Sequence, residues 1–454
     1  MAEVPCTRCV ELERQVADLR AQVQRLEALL DEQRRAGKRQ AAPFAKGPPQ
    51  AAPKKPGRKP GPAYGRKAHR QPPQPEQLDE VHDAPLPDTC PDCGGAVDET
   101  GVAAQYQVEI PRRPIHRQFN VHIGCCRACR RRVQGRHPLQ TSDALGAAAA
   151  QLGPDAQAAV VDLNKQAGLS HGKVTRVLHD LFGIPLSRGG SVHTVLRAAR
   201  RCEPVYAGLC AEVAEADWVV PDETGWRLAG RSAWLHTLVS AQATVYVVDP
   251  TRSGAVAERV LGRDYAGVMI HDGWSVYDDF LSAGHQQCLA HLLRRAHELL
   301  QTATRGAVHF PRAVAGILQA ALDLRQRYAA QEISRHGLDV LRGRLASRLD
   351  ALLWPVKTHA ANERFAKHLW KHREQLFTFL KIPGLDATNW RAEHAIRAGV
   401  LLRKVWGGNR TSVGGRAQSV LMSVWRTCWQ RGASALDWLS QRLRTPALAL
   451  PQPS

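Results

Sequence analysis

The spacing of apolar residues along the chain predicts elements of several kinds. Near the N-terminus, apolar positions recur in alternating steps of three and four, which predicts a coiled coil of about three heptads. The predicted seam consists of Cys9, Leu12, Val16, Leu19, Val23, Leu26 and Leu30. The alternative for this segment is a single amphipathic helix that packs on the body of the same chain.

Helical periodicity returns over residues 150–205 and is interrupted at Gly168-Leu169-Ser170. Ser170 suits the N-cap of the helix that follows, because its hydroxyl can accept a backbone hydrogen bond. A helix, a glycine-containing turn and a second helix have the outline of a helix-turn-helix, which would expose Lys173 and Arg176. A plain helical hairpin explains the pattern equally well.

The pattern changes to that of a mixed α/β region from about residue 206 to residue 300. Three strand-like runs precede a short helix, a buried strand that ends at His271-Asp272-Gly273, and then a further strand and helix. This order is typical of a ribonuclease-H-like fold. Residues 300–385 have helical periodicity and are predicted to form an insertion, after which a long helix begins near Thr388.

The charge balance indicates a nucleic-acid partner. The 454 residues include 62 Lys and Arg against 42 Asp and Glu, which gives a net charge of +20. No acid lies between Glu32 and Glu76, and the proline- and glycine-rich segment between them cannot build a core. Its basic residues can neutralise phosphates, although a basic spacer is the alternative. They include Lys54, Lys55, Arg58, Lys59, Arg66 and Lys67.

Neither a membrane span nor a signal sequence is evident. No window approaches the ~18 apolar residues that a spanning helix needs, and the N-terminus lacks a charged-then-apolar region. We therefore expect a cytoplasmic protein, whose cysteines are not expected to form disulfides.

Two CxxC motifs predict one structural zinc ion. Cys90 and Cys93 form the first pair, Cys126 and Cys129 form the second, and the alternating sequence between them predicts a β-hairpin. Cys125 competes with Cys126, but only Cys126 has the two-residue spacing to Cys129. Four thiolates leave no open coordination position, so the site would be structural. Arg130 and Arg131 beside the second pair are expected to face DNA.

Three acids are candidates for a catalytic metal site. Asp222 and Asp272 follow apolar strand runs, where a carboxylate is costly to bury without a partner. Glu393 lies on the predicted C-terminal helix, on one face with Arg397, Val400 and Lys404, and we expect this face to pack the carboxylate toward the sheet.

Three carboxylates can hold two Mg²⁺ ions for phosphodiester chemistry. Glu363 is an alternative third acid, and Glu223 would point to the opposite face of its strand. Arg294 and Arg295, after the motif CLAH, are expected to reach DNA.

The predicted architecture is therefore a multidomain α/β protein with a ribonuclease-H-like core. Its predicted segments are a coiled coil over 1–37, a basic proline-rich linker over 38–79, a zinc ribbon over 80–140, a helical DNA-binding segment over 141–205, two parts of the core over 206–300 and 386–445, a helical insertion over 301–385 and a tail over 446–454.

The motifs DETGW, HDGW…Y, CLAHLLRR and NWRAEHAIR…LLRK, in this order, resemble those of the insertion-sequence-66 family of transposases. The resemblance extends over nearly the whole chain. It implies a DDE transposase of a bacterial insertion sequence that uses Mg²⁺, cleaves at the element's ends and joins 3′-hydroxyls to target DNA.

By motif, Asp222, Asp272 and Glu393 take the places of the family's three catalytic acids. Asn389, Arg397, Arg403 and Lys404 match the last motif as groups that contact DNA or support the site. The sequence departs from the family at Trp390, where a second Asn is usual, and at His394, where an Arg is frequent.

The expected partners are double-stranded DNA, a second copy bound through the coiled coil, and accessory proteins of the same element, in a nucleoid-associated location. Two other functions are alternatives for this sequence. One is a DNA-binding regulator without catalysis, against which the three acids argue, and the other is a nuclease that cuts without joining.

Overall fold

The computed structural model describes residues 73–108, 110, 113–146, 151–445 and 447–452, together with a few positions between residues 8 and 26. The chain divides into two units, Met1–Ile110 and Pro111–Ser454. The predicted phosphate-binding residues of the linker, from Lys54 to Lys67, lie outside the described residues.

In the first unit, the described positions of the predicted coiled coil are helical and exposed. Val16, Leu19, Val23 and Leu26 keep from 45 to 63% of their surface accessible. About half of the surface of each of these four apolar side chains is therefore left open by the part of the chain that the structure describes. Further along, a single β-bridge between Thr89 and Ala96 closes the loop around the first CxxC motif.

The second unit begins with a small antiparallel hairpin of strands β1 (Ile123–Cys125) and β2 (Arg132–Gln134). The hairpin predicted between the two CxxC motifs does not form: of the predicted segment only Ile123 and Gly124 lie in a strand, β1, and none of the residues described over 101–122 does. Val108 and Ile115 are exposed there, so the alternation has no apolar surface to pack against. The second CxxC motif itself forms the turn of the observed hairpin.

A five-stranded mixed sheet forms the centre of the second unit. Its strands are β3 (Trp218–Leu228), β4 (Arg231–Val239), β5 (Thr244–Asp249), β6 (Val268–His271) and β7 (Gly284–Gln287). The spatial order is β5-β4-β3-β6-β7. Strand β4 pairs antiparallel with both β3 and β5, whereas β6 runs parallel to both β3 and β7.

Twelve α-helices are described around this sheet. They are α1 (Pro154–Lys165), α2 (His171–Phe182), α3 (Arg188–Ala214), α4 (Ala255–Leu261), α5 (Leu289–Thr302), α6 (His309–Ala329), α7 (Arg335–Leu353), α8 (Ala360–Lys371), α9 (Thr378–Lys381), α10 (Trp390–Trp406), α11 (Ser412–Gln430) and α12 (Ala435–Arg444). Ser170 caps α2 as its sequence predicts, by accepting a hydrogen bond from the backbone N–H of Lys173. None of the described helices is long and apolar enough to cross a membrane.

The sheet separates two hydrophobic clusters, because successive side chains of a strand point to opposite faces. Val219 of β3 belongs to the cluster that contains α1, α2, α3, α11 and α12. Val220 belongs to the cluster on the other face, with α5, α6, α7, α8 and α10. The predicted helical insertion therefore packs on the same face as α10.

Helix α11 covers the edge of the sheet at β5. The hydroxyls of Ser419, Ser423 and Thr427, which are four residues apart, accept hydrogen bonds from backbone N–H groups of β5 at 2.9, 2.8 and 3.1 Å. A buried N–H without a partner is costly, so this row of hydroxyls allows an edge strand to be buried.

Candidate active site

Asp222 and Asp272 lie at equivalent positions of two neighbouring parallel strands. Val219 of β3 pairs with Met269 of β6, and each aspartate comes three residues after its member of this pair along the chain. Asp272 directly follows His271, the last residue of β6. Paired strands are ~4.8 Å apart, so the register places the two carboxylates side by side at the carboxyl end of β6.

Glu393 reaches the same edge of the sheet from the first turn of α10. The start of this helix is fixed to the end of β7, because the backbone N–H of Asn389 donates to Cys288 Sγ and that of Leu289 donates to the carbonyl of Ala387. The Glu393 carboxylate lies 3.7 Å from Nε2 of His291 on α5. Its position therefore depends on packing between two helices that are about 100 residues apart in sequence.

The expectation that the Glu393 face of α10 packs on the sheet is wrong. Glu393 is 47% exposed, and Arg397 and Lys404 are exposed as well. Of the predicted face, only Val400 is buried. The helix instead packs through its small and apolar residues, which are Ala392, Ala395, Ile396, Gly399 and Leu402. The acid and the two basic side chains thus lie on an open face of α10.

Asp272 and Glu393 act electrostatically on Asp222. Burial, together with the neighbouring charges of Glu223, Asp272 and Glu393, raises the pKa of Asp222 to about 7. The backbone N–H of Glu223, 2.8 Å from Asp222 Oδ1, opposes this shift. Asp272 accepts a hydrogen bond from the backbone N–H of Trp274 at 3.0 Å. A cation at this edge would relieve the repulsion between the carboxylates.

Three residues that the sequence analysis did not assign to the site stabilise it from the opposite face of β3. The Glu223 carboxylate is paired with Arg252 at 2.7 Å and accepts a hydrogen bond from the hydroxyl of Tyr277 at 3.2 Å. Arg252 lies between the rings of Trp234 and Trp274, at 4.8 and 4.6 Å. The signal in the sequence was the second acid of DETGW, which cannot be buried in a strand without a partner.

Tyr277 stays a hydrogen-bond donor in this arrangement. Burial raises its pKa well above the usual value, and the charges of Glu223, Asp222 and Asp272 raise it further. A neutral hydroxyl can therefore donate to Glu223 throughout the physiological pH range.

The chemistry of the donor set fits Mg²⁺, since three carboxylates offer the hard oxygen ligands that this ion prefers. The side chains are not gathered at ligand distance, however. Among the described residues, no group of three or more His, Cys, Asp and Glu side chains is arranged to hold a metal ion. Each acid is instead engaged with a local partner, which is the backbone for Asp222 and Asp272 and His291 for Glu393.

The sequence pattern that describes the family "Transposase IS66 family" matches residues 149–417, which is more than half of the chain and includes all three acids. The chain belongs to this family. No curated protein matches it. The matched region runs from just before α1 into α11 and leaves out both CxxC motifs.

The two CxxC motifs of this transposase have the same local geometry. In each, the backbone N–H of the first cysteine donates to the carbonyl five residues later, and its own carbonyl accepts the N–H four residues later. That fourth residue has a left-handed backbone in both motifs, with φ of 72° at Gly94 and 60° at Arg130.

Backbone N–H groups in the two loops favour thiolates. The N–H groups of Asp92 and Cys93 lower the pKa of the Cys90 thiol, and those of Cys129 and Ala128 lower the pKa of Cys126. Cys125 is different, because its thiol donates to the carbonyl of Arg130 at 3.1 Å. The local geometry around Cys126, and not that around Cys125, is therefore the same as the geometry around Cys90.

The residues expected to contact DNA are placed in different environments. Arg130, Arg131 and Arg294 are exposed, and Arg295 is half-buried with its guanidinium 4.8 Å from the ring of Phe365. Asn389 is only 2% exposed, so of the two roles expected for it, DNA contact and support of the site, its burial favours support of the site.

Arg403 and Glu363 also have local partners. Arg403 donates to the carbonyl of Gly225 and so ties α10 to β3. The alternative third acid, Glu363, accepts a hydrogen bond from the backbone N–H of Lys357 at 2.8 Å and lies 3.5 Å from Lys367 on α8. Unlike Glu393, it is not among the acids that raise the pKa of Asp222.

Proposed function

We propose that this transposase uses DDE chemistry, with Asp222, Asp272 and Glu393 as the ligands of two Mg²⁺ ions. The observation that carries the proposal is the convergence of the three acids: two lie on paired parallel strands and the third on a helix fixed to the next strand, and all share one electrostatic environment. A buried carboxylate whose pKa is raised, as that of Asp222 is, and which lies near other acids is a common feature of active sites.

The reaction we propose is hydrolysis of a phosphodiester at each element end, followed by attack of the freed 3′-hydroxyl on a phosphodiester of target DNA. When bound, the two cations would activate the attacking oxygen and stabilise the leaving oxygen.

The protein's own side chains position the reacting strand and the acids. Glu223, held by Arg252 and Tyr277, fixes the part of β3 that carries Asp222. Arg397 and Lys404 on the open face of α10 would attract the phosphates of the strand.

We also propose that the central sheet and its helices form a ribonuclease-H-like core. Three antiparallel strands followed by a helix and two parallel strands support a ribonuclease-H-like core, with α6 to α9 as the insertion before the Glu393 helix. In such a core the acids lie at the centre of the sheet, as Asp222 and Asp272 do here.

We further propose that Cys90, Cys93, Cys126 and Cys129 bind one structural Zn²⁺ and form a zinc ribbon. The matching loops and lowered thiol pKa values of the two motifs support this, because zinc is bound by thiolates. The basic linker, Arg130, Arg131 and the α1–α2 pair would hold the element's ends, in the cytoplasm and on the nucleoid. The exposed apolar residues Val16 to Leu26 support pairing of two copies through a coiled coil.

A strand-transfer assay tests the catalytic proposal. Purified protein, labelled DNA with the element's own ends, a target plasmid and Mg²⁺ should give cleaved and joined products. Asp222→Ala and Glu393→Gln should each lower the yield by at least about a thousandfold, as expected for loss of a group that supports the transition state. Asp264→Asn, which removes an exposed carboxylate outside the site, is the matched control.

The outcomes separate the candidate functions. Normal cleavage by Glu393→Gln would refute the triad. Cleavage without joined product would identify a nuclease, and tight binding of the ends without cleavage would identify a regulator.

A further inference from the structure

A cleft lined by two tryptophans and two lysines lies on the helical insertion, between the end of α7 and one face of α8. It has a volume of about 340 Å³, which is in the range of small-ligand sites. Its walls are formed by Leu353, Trp354, Pro355, Val356, Glu363, Ala366, Lys367, Trp370 and Lys371. The proposed chemistry at Asp222 makes no use of it.

Two tryptophans make this cleft aromatic and open. Trp354 is 79% exposed and Trp370 is 38% exposed, and their ring centroids are 6.1 Å apart at an interplanar angle of 63°. Val356 beside them is 81% exposed. An indole left so far in water costs hydrophobic free energy, so a cluster of this kind indicates a binding surface for a flat or apolar group.

Basic groups surround the aromatic surface. The guanidinium of Arg373 lies 4.6 Å from the ring centre of Trp370. Lys367 and Lys371 project from the same face of α8 and remain largely exposed, although Lys367 lies 3.5 Å from Glu363. Aromatic faces bordered by cations are the combination that binds single-stranded nucleic acid, since bases stack on the rings and phosphates meet the cations.

Helix α8 connects this cleft to the proposed active site. Lys371, which lines the cleft, is 2.6 Å from Asp278 in the turn that follows Asp272. On another side of the same helix, His368 lies against Gly273, where an added Cβ would be 3.2 Å from its ring. A DNA strand whose phosphodiester lies at Asp272 would therefore pass within a few nucleotides of Trp354 and Trp370.

We propose that this tryptophan cleft binds an unpaired DNA base close to the phosphodiester that is cut. The identity of the strand rests on the proposed function, whereas the preference for an unpaired base rests on the cleft itself. A base pair inside a duplex is stacked on both faces, so insertion of a base into this cleft requires a base that has left the helix. The cleft would stabilise that unpaired base and orient the strand toward the acids.

The test uses binding rather than catalysis. We would measure binding of a 15-nucleotide single strand that carries 2-aminopurine, and of the matching blunt duplex, to full-length protein with the Asp222→Asn substitution. The fluorescence of 2-aminopurine falls when it stacks on an indole. Trp354→Ala and Trp370→Ala should each weaken single-strand binding by about tenfold and abolish the quenching, while duplex affinity changes less than about twofold.

Two further variants serve as controls. Trp354→Phe keeps an aromatic face and should restore most of the single-strand affinity. Trp429→Ala removes another tryptophan, 55% exposed and outside the cleft, and should leave binding unchanged.

Unchanged single-strand affinity and quenching in both alanine variants would overturn the proposal. The same result together with a change in the sedimentation coefficient would identify the cleft as a protein contact and would also overturn it. Failure of the catalytic proposal would look different, because the single strand would still stack in a protein that does not cleave DNA.

Discussion

The segment over residues 73–146 and the body over residues 151–452 are organised by different forces. None of the described residues in the first segment is buried, and apolar residues such as Val102 and Val108 are more than 80% exposed. In the body, two clusters of fully buried side chains line the two faces of one sheet.

This difference shows how each region achieves a unique structure. The body buries enough apolar surface to offset its loss of conformational entropy. The described residues of the first segment lack that contribution, and they are joined by the backbone hydrogen bonds of two matching loops around the cysteine pairs and of the small hairpin β1–β2. Small regions of this kind are ordinarily stabilised by a metal, whose binding energy takes the place of a hydrophobic core.

Removal of one proposed zinc ligand should give the largest difference between the two regions, because it should affect the zinc content of the first segment and hardly affect the stability of the body. Cys126→Ser should reduce the zinc content from about one ion per chain to nearly none at low free zinc, because one of four thiolates is lost. The melting temperature of the body should change by only a few degrees. Elemental analysis and calorimetry provide the two measurements.

Cys125→Ser is the matched control for that change and should keep the zinc. Loss of zinc in Cys125→Ser and retention in Cys126→Ser would reverse our assignment of the ligand. A large loss of body stability in either variant would contradict the separation of the two regions.

The pH dependence of stability tests the active site within the body. The pKa of Asp222 is raised to about 7 in the folded protein from 3.8, so the folded state holds this proton more tightly than the unfolded state does. Without added metal, its contribution to stability is therefore lost as the pH rises from about 4 to about 7, by roughly 2–4 kcal/mol. Asp222→Asn should remove this slope, as measured by urea unfolding across that pH range.

Added Mg²⁺ provides the complementary measurement. A bound cation offsets the carboxylate charges, so Mg²⁺ should raise the free energy of unfolding of the wild type near pH 7.5. Asp222→Asn should respond much less. An equal response in both proteins would argue against a metal site at Asp222.

A substitution in the contact between α11 and the edge strand β5 should have a smaller effect on the free energy of unfolding. Ser423→Ala should destabilise the body by about 1–3 kcal/mol, because the buried N–H of Tyr246 loses its acceptor. Ser412→Ala on the same helix removes an exposed hydroxyl and should change stability by less than about 0.5 kcal/mol. Equal effects of the two substitutions in urea unfolding would refute the role assigned to the buried hydroxyl.

The smallest expected effect concerns the cap of α2. Ser170→Ala should cost about 0.5–1 kcal/mol, since the cap hydrogen bond is long at 3.4 Å. Ser170→Asn, which can cap the same helix, should cost less. A loss above about 2 kcal/mol would show that Ser170 contributes something besides the cap.

Much of the order of elements could be predicted from the sequence. The strand that ends before Asp272, the two helices around Gly168-Leu169-Ser170 and the helix that follows Thr388 are present as expected. Each depends on local periodicity or on a capping residue, which the sequence displays directly. The hairpin between the cysteine pairs failed because alternation forms a strand only where one face can be buried.

The candidate site was less accessible to prediction. The sequence placed Asp222, Asp272 and Glu393 as candidates by residue type and by the elements that carry them. It could not supply the register of β3 on β6 that sets the two aspartates side by side. Nor could it show that Glu223 is paired with Arg252 and Tyr277, since these partners come from distant parts of the chain.

The sequence by itself determined most of the helices and strands of the body, which cysteines have zinc-ligand spacing, and the family to which the chain belongs, because these depend on neighbours along the chain. Only the tertiary structure decided which face of α10 is open, that Asn389 is buried, and that Trp354 and Trp370 form one cleft beside the turn after Asp272. These features depend on packing between elements far apart in sequence, and local periodicity contains no information about that packing.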